Sequence, residues 1–117
     1  MSLERNLKHV LENIEKEKEK SSFNQNVELI AVTKTRPLST IEECYKLGIT
    51  NIGENRVQEA VEKFSHFDGF ERIKKRFIGH LQTNKVNRCL SLFDTVDSVD
   101  SFRLASKINN SAQNKNI

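Results

Sequence analysis

Val27-Glu28-Leu29-Ile30-Ala31-Val32, leading directly into Thr33-Lys34, is the stretch whose reading decides the fold. It is short, nearly continuous in apolar character and rich in β-branched residues, which suits a strand buried on both faces, as in parallel sheets. A polar loop, Thr33 to Leu38, follows. Ser39 to Glu42 then reads as a capping box opening a short helix with Ile41, Cys44, Tyr45 and Leu47 on its apolar side. Gly48 ends that helix, as glycine does just past a C-terminus.

The same unit recurs downstream. Ile49 to Gly53 is a second short strand, and Val57, Ala60, Val61 and Phe64 give the i, i+3, i+4, i+7 stripe of a second helix. Phe77-Ile78-Gly79-His80 reads as a third strand, followed by a helix bearing Val86, Cys89 and Leu90; Thr95-Val96 is a weaker fourth strand before a helix marked by Leu104, Ala105 and Ile108. Strands alternating with helices imply parallel pairing and right-handed crossovers, hence an α/β protein. Four such units could form an open sheet of the flavodoxin type, or half of a closed eight-unit barrel, which needs about 250 residues.

The 117 residues suffice for one domain. Upstream of the βα series, Leu3, Leu7, Val10, Leu11 and Ile14 predict an amphipathic helix over residues 2–20. Downstream, residues 109–117 are polar until Ile117, and residues 111–117 read as a tail leading toward further strands or as a disordered end. Nothing in the sequence approaches the roughly 20 apolar residues of a membrane span, and the charged start is unlike a secretory signal. The expectation is a cytoplasmic protein.

Nineteen basic against 16 acidic residues give a formal net charge of +3. Most of the positive charge alternates with glutamate, as over residues 15–20, the pattern of a solvated helix face. Lys74-Lys75-Arg76 is the one basic cluster without neighbouring acids, a candidate phosphate contact. Cys44 and Cys89 are 45 positions apart and in helical patterns, which fits buried thiols and neither a disulfide framework nor a zinc site. Glycine-rich phosphate loops, HExxH, CxxC and GxSxG are all missing from the sequence.

Parallel βα architectures bind ligands at the C-terminal ends of their strands. The residues there are Lys34, then Glu54-Asn55-Arg56, then His80 to Lys85, then Asp97 to Asp100. Lys34 is the most informative. An amine directly after a buried strand is paired, projects into a cleft, or gives up its proton to desolvation and to positive neighbours such as Arg36. Only the neutral amine attacks an aldehyde, which is the requirement for a Schiff base; a solvated lysine is the plainer alternative. Asn55 could hydrogen-bond a ligand or simply cap the second helix. His80 could stack on a ligand or transfer a proton, or be a structural histidine. Backbone N–H groups at Gln82 to Lys85 could hold an anion, or be capped by Thr83 or Asn84.

Three of these stretches, Leu29 to Pro37, Asn51 to Glu59 and Phe77 to Lys85, resemble in order and spacing the pyridoxal-phosphate homeostasis protein family (YggS/PROSC type). Phe93 to Asp100 resembles that family's next strand. The resemblance implies the first half of a TIM-type barrel like the N-terminal domain of alanine racemase, with pyridoxal 5'-phosphate at the C-terminal rim. By motif match Lys34 takes the place of the Schiff-base lysine, Asn55 falls in a Gly-Glu-Asn motif lining the cofactor pocket, and His80 contributes to the same rim. It further implies vitamin B6 homeostasis without catalytic activity, no metal, and cofactor-dependent enzymes as recipients.

The family's phosphate-holding Ser, Thr, Gly and Arg residues lie in the last strands of its barrel, outside these 117 residues. A half-length chain is therefore expected to bind weakly or not at all, and its exposed strand edges favour self-association. Two alternatives stand beside this reading. One is a fragment of a racemase-like or decarboxylase-like enzyme using the same cofactor. The other is a nucleic-acid- or protein-binding module built on residues 74–76.

Overall fold

The computed structural model describes residues 2–66 and 70–117, Phe70 by its backbone alone. Four βα units follow an N-terminal helix: α1 (Leu3–Lys20), β1 (Ala31–Val32), α2 (Leu38–Lys46), β2 (Asn51–Glu54), α3 (Val57–Phe64), β3 (Lys74–Phe77), α4 (Val86–Leu92), β4 (Thr95–Val96) and α5 (Phe102–Lys115). The strands form one parallel sheet in the order β1-β2-β3-β4. Doubly wound sheets reverse their strand order at a switch point. Strictly sequential order with right-handed crossovers puts every connecting helix on one face, which is the barrel arrangement. The half-barrel expectation holds and the flavodoxin alternative fails.

Register decides which residues meet the helices. Val32, Gly53, Arg76 and Thr95 lie in one row across the sheet, and Glu54, Phe77 and Val96 in the next. Side chains of adjacent rows project from opposite faces. Phe77 packs with Val57, Ala60, Leu81, Val86, Cys89, Phe93 and Leu104, and Ile52 with Ile41 and Ile73, so Phe77 and Ile52 mark the helix-covered face. Phe93 meets Phe77 and Phe64 edge-on, with ring centroids 5.3 and 5.4 Å away. The opposite face carries Gly53 between Ile30 and Ile78, together with Arg76.

Several local expectations shift for identifiable reasons. β1 is an edge strand, with Val32 53% exposed, because its open face lies outside the helix layer. β3 begins at Lys74, three residues before the apolar run, since pairing with β2 starts at Asn51↔Lys74. Lys75 and Arg76 therefore belong to the sheet: Lys75 pairs with Asp94 at 3.3 Å, and Arg76 with Glu28 at 2.7 Å and Asp97 at 3.3 Å. Carboxylates take up the charge of Lys75 and Arg76, two of the three residues that suggested a phosphate contact. The Ser39–Glu42 capping box does not form, because α2 starts at Leu38 directly after Pro37, leaving Ser39 inside the first turn. At the other end of α2, Gly48 (φ 88°) does close the helix, its N–H donating to the Tyr45 carbonyl while the Ile49 N–H donates to that of Cys44.

α1 matches its expected span and is capped by the Ser2 hydroxyl. The presumed tail is different. Residues up to Lys115 continue α5, with Ser111 buried and Asn116 in a left-handed C-terminal turn, so only the last two residues lie beyond the helix. Polar composition hid this because asparagine and serine, common at helix ends, cost only a fraction of a kcal/mol each in a helix interior, and packing of α5 on α4 prevails. No helix among the described residues is long and apolar enough to cross a membrane.

Both cysteines are free and buried. Burial pushes the Cys89 thiol up to about 11, and burial together with Glu43 raises Cys44 against a smaller lowering by a backbone hydrogen bond. Thiolate is the reactive form. A disulfide reagent at neutral pH should thus modify neither residue in the folded chain and both once urea unfolds it; rapid native labelling of two thiols would contradict this packing.

Candidate functional site

The C-terminal ends of β1 and β2 are joined by a buried ionic cluster. Glu54 is fully buried on the helix-covered face, and Lys63 of α3 reaches it with Nζ 3.1 Å from Oε1 and 3.0 Å from Oε2. Lys63 Nζ also donates to the Thr33 carbonyl at 2.8 Å and pairs with Glu59 Oε1 at 2.9 Å. The Thr33 hydroxyl donates to Glu54 Oε2, and the Thr35 N–H donates to Glu59 Oε1 at 2.7 Å. Every polar atom taken out of water here finds a partner, as a buried charge requires.

Lys34 sits between these anchored residues. The register, continued two residues past Val32↔Gly53 and one past Glu54↔Phe77 and Phe77↔Val96, sets Lys34 in a row with Asn55, Ile78 and Asp97 on the face turned away from the helices. Lys34 is exposed, because that face is open. Thr35, immediately after it, has φ 63°, a left-handed conformation costly for a β-branched residue.

Asn55 does not cap α3. The cap position is Arg56, which offers no side-chain hydrogen bond, and the buried Asn55 Oδ1 is an acceptor with no partner among the described residues. Asn55 and His80 line a common cavity of about 390 Å³ at the ends of β2 and β3, along with Arg56, Gln58, Gln82 and Lys85. That volume suits a small ligand. Lys34 lies outside this cavity, on the neighbouring strand. His80 is mostly exposed, its side chain 76% accessible, with Nδ1 3.8 Å from Asp100 Oδ2. Gln82 holds the cap position of a single 3₁₀ turn, Thr83–Lys85, without a side-chain capping hydrogen bond, and neither Thr83 nor Asn84 acts as its cap.

Gly79 makes this corner possible. A Cβ there would strike the Asn55 carbonyl and lie 2.8 Å from its Cα, and Ser98 Oγ holds the Gly79 carbonyl at 2.5 Å. No group of acidic, histidine or cysteine residues among those described could hold a metal ion.

The ionic cluster was not foreseen from sequence, where Glu54 read as a rim residue. Its signal was available: Glu59 and Lys63 stand four apart on α3, and Glu54 follows Ile52 by two, on the helix-facing side of β2.

The architecture and rim define a parallel βα half-barrel with an open face, on which a lysine and an asparagine follow neighbouring strands in one row and the asparagine oxygen has no partner among the described residues. No protein-family model matches the chain. It is 37% identical over 112 residues to a pyridoxal phosphate homeostasis protein of Vibrio alginolyticus, covering 92% of this chain and 48% of that one. A mouse protein of the same name is 41% identical over 92 residues, covering 74% and 34%. Among solved structures, PipY of Synechococcus elongatus PCC7942 with pyridoxal phosphate bound superposes with a TM-score of 0.75 at 35% identity, covering 86% of this chain and 47% of that one. The chain is thus a homologue of pyridoxal phosphate homeostasis proteins, and it spans about half the length of the curated relatives it matches.

Two outcomes follow from this geometry. Partial burial pushes the Glu59 carboxyl up, but the hydrogen bond from Lys63, the Thr35 N–H and nearby positive charge outweigh it and hold the group below the usual glutamate range. A lowered folded value means that its stabilisation is present above about pH 4.3 and is lost as pH falls through the folded value. The melting-temperature gap between the unsubstituted chain and Glu59→Gln should therefore close on acidification to about pH 2; a constant gap would show that ionised Glu59 stabilises nothing. Separately, Gly79→Ala should cost about 1–3 kcal/mol in urea unfolding, because Asn55 backbone must move. Unchanged stability would mean the corner is looser than its geometry.

Proposed function

We propose that this chain is the lysine-bearing half of a cytoplasmic pyridoxal 5'-phosphate-binding homeostasis protein. When bound, the cofactor supplies an aldehyde that condenses with a lysine amine and releases water. Lys34 is the residue for that attachment, on the open side of the sheet at the C-terminal end of β1. Asn55 and His80 would flank the ring from the next two strands. The observation that carries this reading is the buried Asn55 Oδ1, an acceptor left without a donor in the same row as Lys34. Leaving such an atom unsatisfied costs about 1–3 kcal/mol, which a ligand donor would recover. The homology to proteins named for pyridoxal phosphate homeostasis supports the same ligand.

The role is storage and delivery to cofactor-dependent enzymes rather than turnover. Racemase-type chemistry needs an acid and a base on opposite sides of the ring. Tyr45, the single tyrosine, lies in α2, receives a contact from Arg72 Nη1 at 3.5 Å and packs against the Ile41, Ile52 and Ile73 cluster on the helix-covered face, opposite the face of Lys34.

Titrating the 117-residue chain with pyridoxal 5'-phosphate should give a saturable visible absorbance change that Lys34→Ala abolishes. An equal change in the variant would remove Lys34 from this role. Supplying the second half of a full-length relative should raise the affinity by about tenfold or more, since charge-assisted hydrogen bonds to phosphate are among the strongest a protein makes; no gain would mean that the phosphate site is not what limits binding.

A further inference from the structure

Lys34 is held from both sides by one helix. The Thr33 carbonyl, in the peptide bond that precedes Lys34, accepts from Lys63 Nζ at 2.8 Å and from the Arg36 N–H at 3.0 Å, closing a tight turn over residues 33–36. The Thr35 N–H, in the peptide bond that follows Lys34, donates to Glu59 Oε1 at 2.7 Å. Thr35 itself sits at φ 63°, where threonine rarely goes and where a surrounding structure must hold it. Glu59 and Lys63 are one helical turn apart on α3 and 2.9 Å from each other. Lys63 is further pinned by the fully buried Glu54. Strain next to a reactive group, imposed by charged side chains from a packed helix, fixes where that group can point.

We infer that Glu59 and Lys63 are positioning residues that clamp the strained turn over residues 33–35 and thereby aim the Lys34 amine across the open face of the sheet. Neither side chain meets the ligand. The inference rests on Lys34 being the attachment residue, and it assigns to α3 a task that the helix's packing alone would not require. A glutamine at 59 retains an oxygen acceptor for the Thr35 N–H, whereas an alanine removes it.

The test follows adduct formation between the full 117-residue chain and pyridoxal 5'-phosphate, with borohydride trapping and peptide mapping to count label on Lys34 alone. Glu59→Ala should slow labelling of Lys34 about tenfold, as small misplacements of reacting groups do, while labelling of the α1 lysines stays unchanged and Glu59→Gln recovers most of the rate. Lys34 labelling within about twofold of the unsubstituted chain in a folded Glu59→Ala variant would overturn the clamp. Hydrogen exchange at the Thr35 amide reads the clamp without cofactor: slow exchange that Glu59→Ala accelerates supports it, and fast exchange in the unsubstituted chain overturns it. Absence of label on Lys34 in any variant, with a protected Thr35 amide, would sink the cofactor reading and leave the clamp standing. Should Glu59→Ala fail to fold, Glu59→Ala combined with Thr35→Gly, in which glycine takes φ 63° without strain, takes its place: fast exchange at the residue 35 amide with slower Lys34 labelling supports the clamp, and neither change overturns it.

Discussion

The contact between Glu54 and Lys63 is the constraint on which the rim depends. Glu54 is fully buried at the last position of β2, facing a helix rather than solvent. Removing one partner of such a pair costs about 3–5 kcal/mol because it strands a charge, whereas replacing both with apolar groups can be nearly neutral. A buried ion pair is therefore poor evidence of optimised stability and needs another reason. Here the same ammonium bonds the Thr33 carbonyl, which no apolar substitute could do. The cluster ties β1, β2 and α3 together at the end of the sheet where ligands bind in this architecture.

The sheet divides its labour by row. Ile52 and Phe77 anchor two apolar clusters beneath the helices, and the core they build is continuous from α2 to α5. The reverse face holds Asn51, Gly53 and Arg76, with Arg76 Nε bonded to Asn51 Oδ1 at 3.0 Å. Arginine in mid-strand is tolerable because Glu28 and Asp97 flank it. A polar face of that kind is unusual for a parallel sheet, whose two sides are ordinarily both covered and apolar. It is what the interior of a barrel looks like when its far wall lies outside the chain described.

Periodicity made the four βα units, the N-terminal helix and the buried cysteines readable, since each depends on apolar spacing over several residues. Boundaries were less so. The start of β3 escaped because Lys74, Lys75 and Arg76 lack the apolar signature of a strand, the charges of Lys75 and Arg76 being matched by Asp94, Glu28 and Asp97 from elsewhere in the chain. The last turns of α5 escaped because Asn109, Asn110, Gln113 and Asn114 carry no apolar stripe, and the helix persists by packing against α4. At the rim, Lys34, Asn55 and His80 were visible as residues just past strands. That Asn55 does not occupy the cap position and keeps an oxygen without a partner among the described residues could not be read from its position, because it depends on contacts between separate strand ends, where Gly79 meets the Asn55 backbone.

That approach bears on how specific the rim is. Asn55 and Gly79 come from different βα loops, and their backbones meet too closely for any side chain at 79. Ser98, from the loop after β4, holds the Gly79 carbonyl from the other side. Three successive strand ends are thus locked by contacts to the backbone, while the first is locked by the side chains of α3. A rim assembled only for stability would have little reason to leave the Asn55 oxygen unpaired inside it, since burying an unsatisfied acceptor works against folding. The unpaired Asn55 oxygen within these locked strand ends is thus the observation on which the proposed role of the rim rests, with Lys34 in the same row.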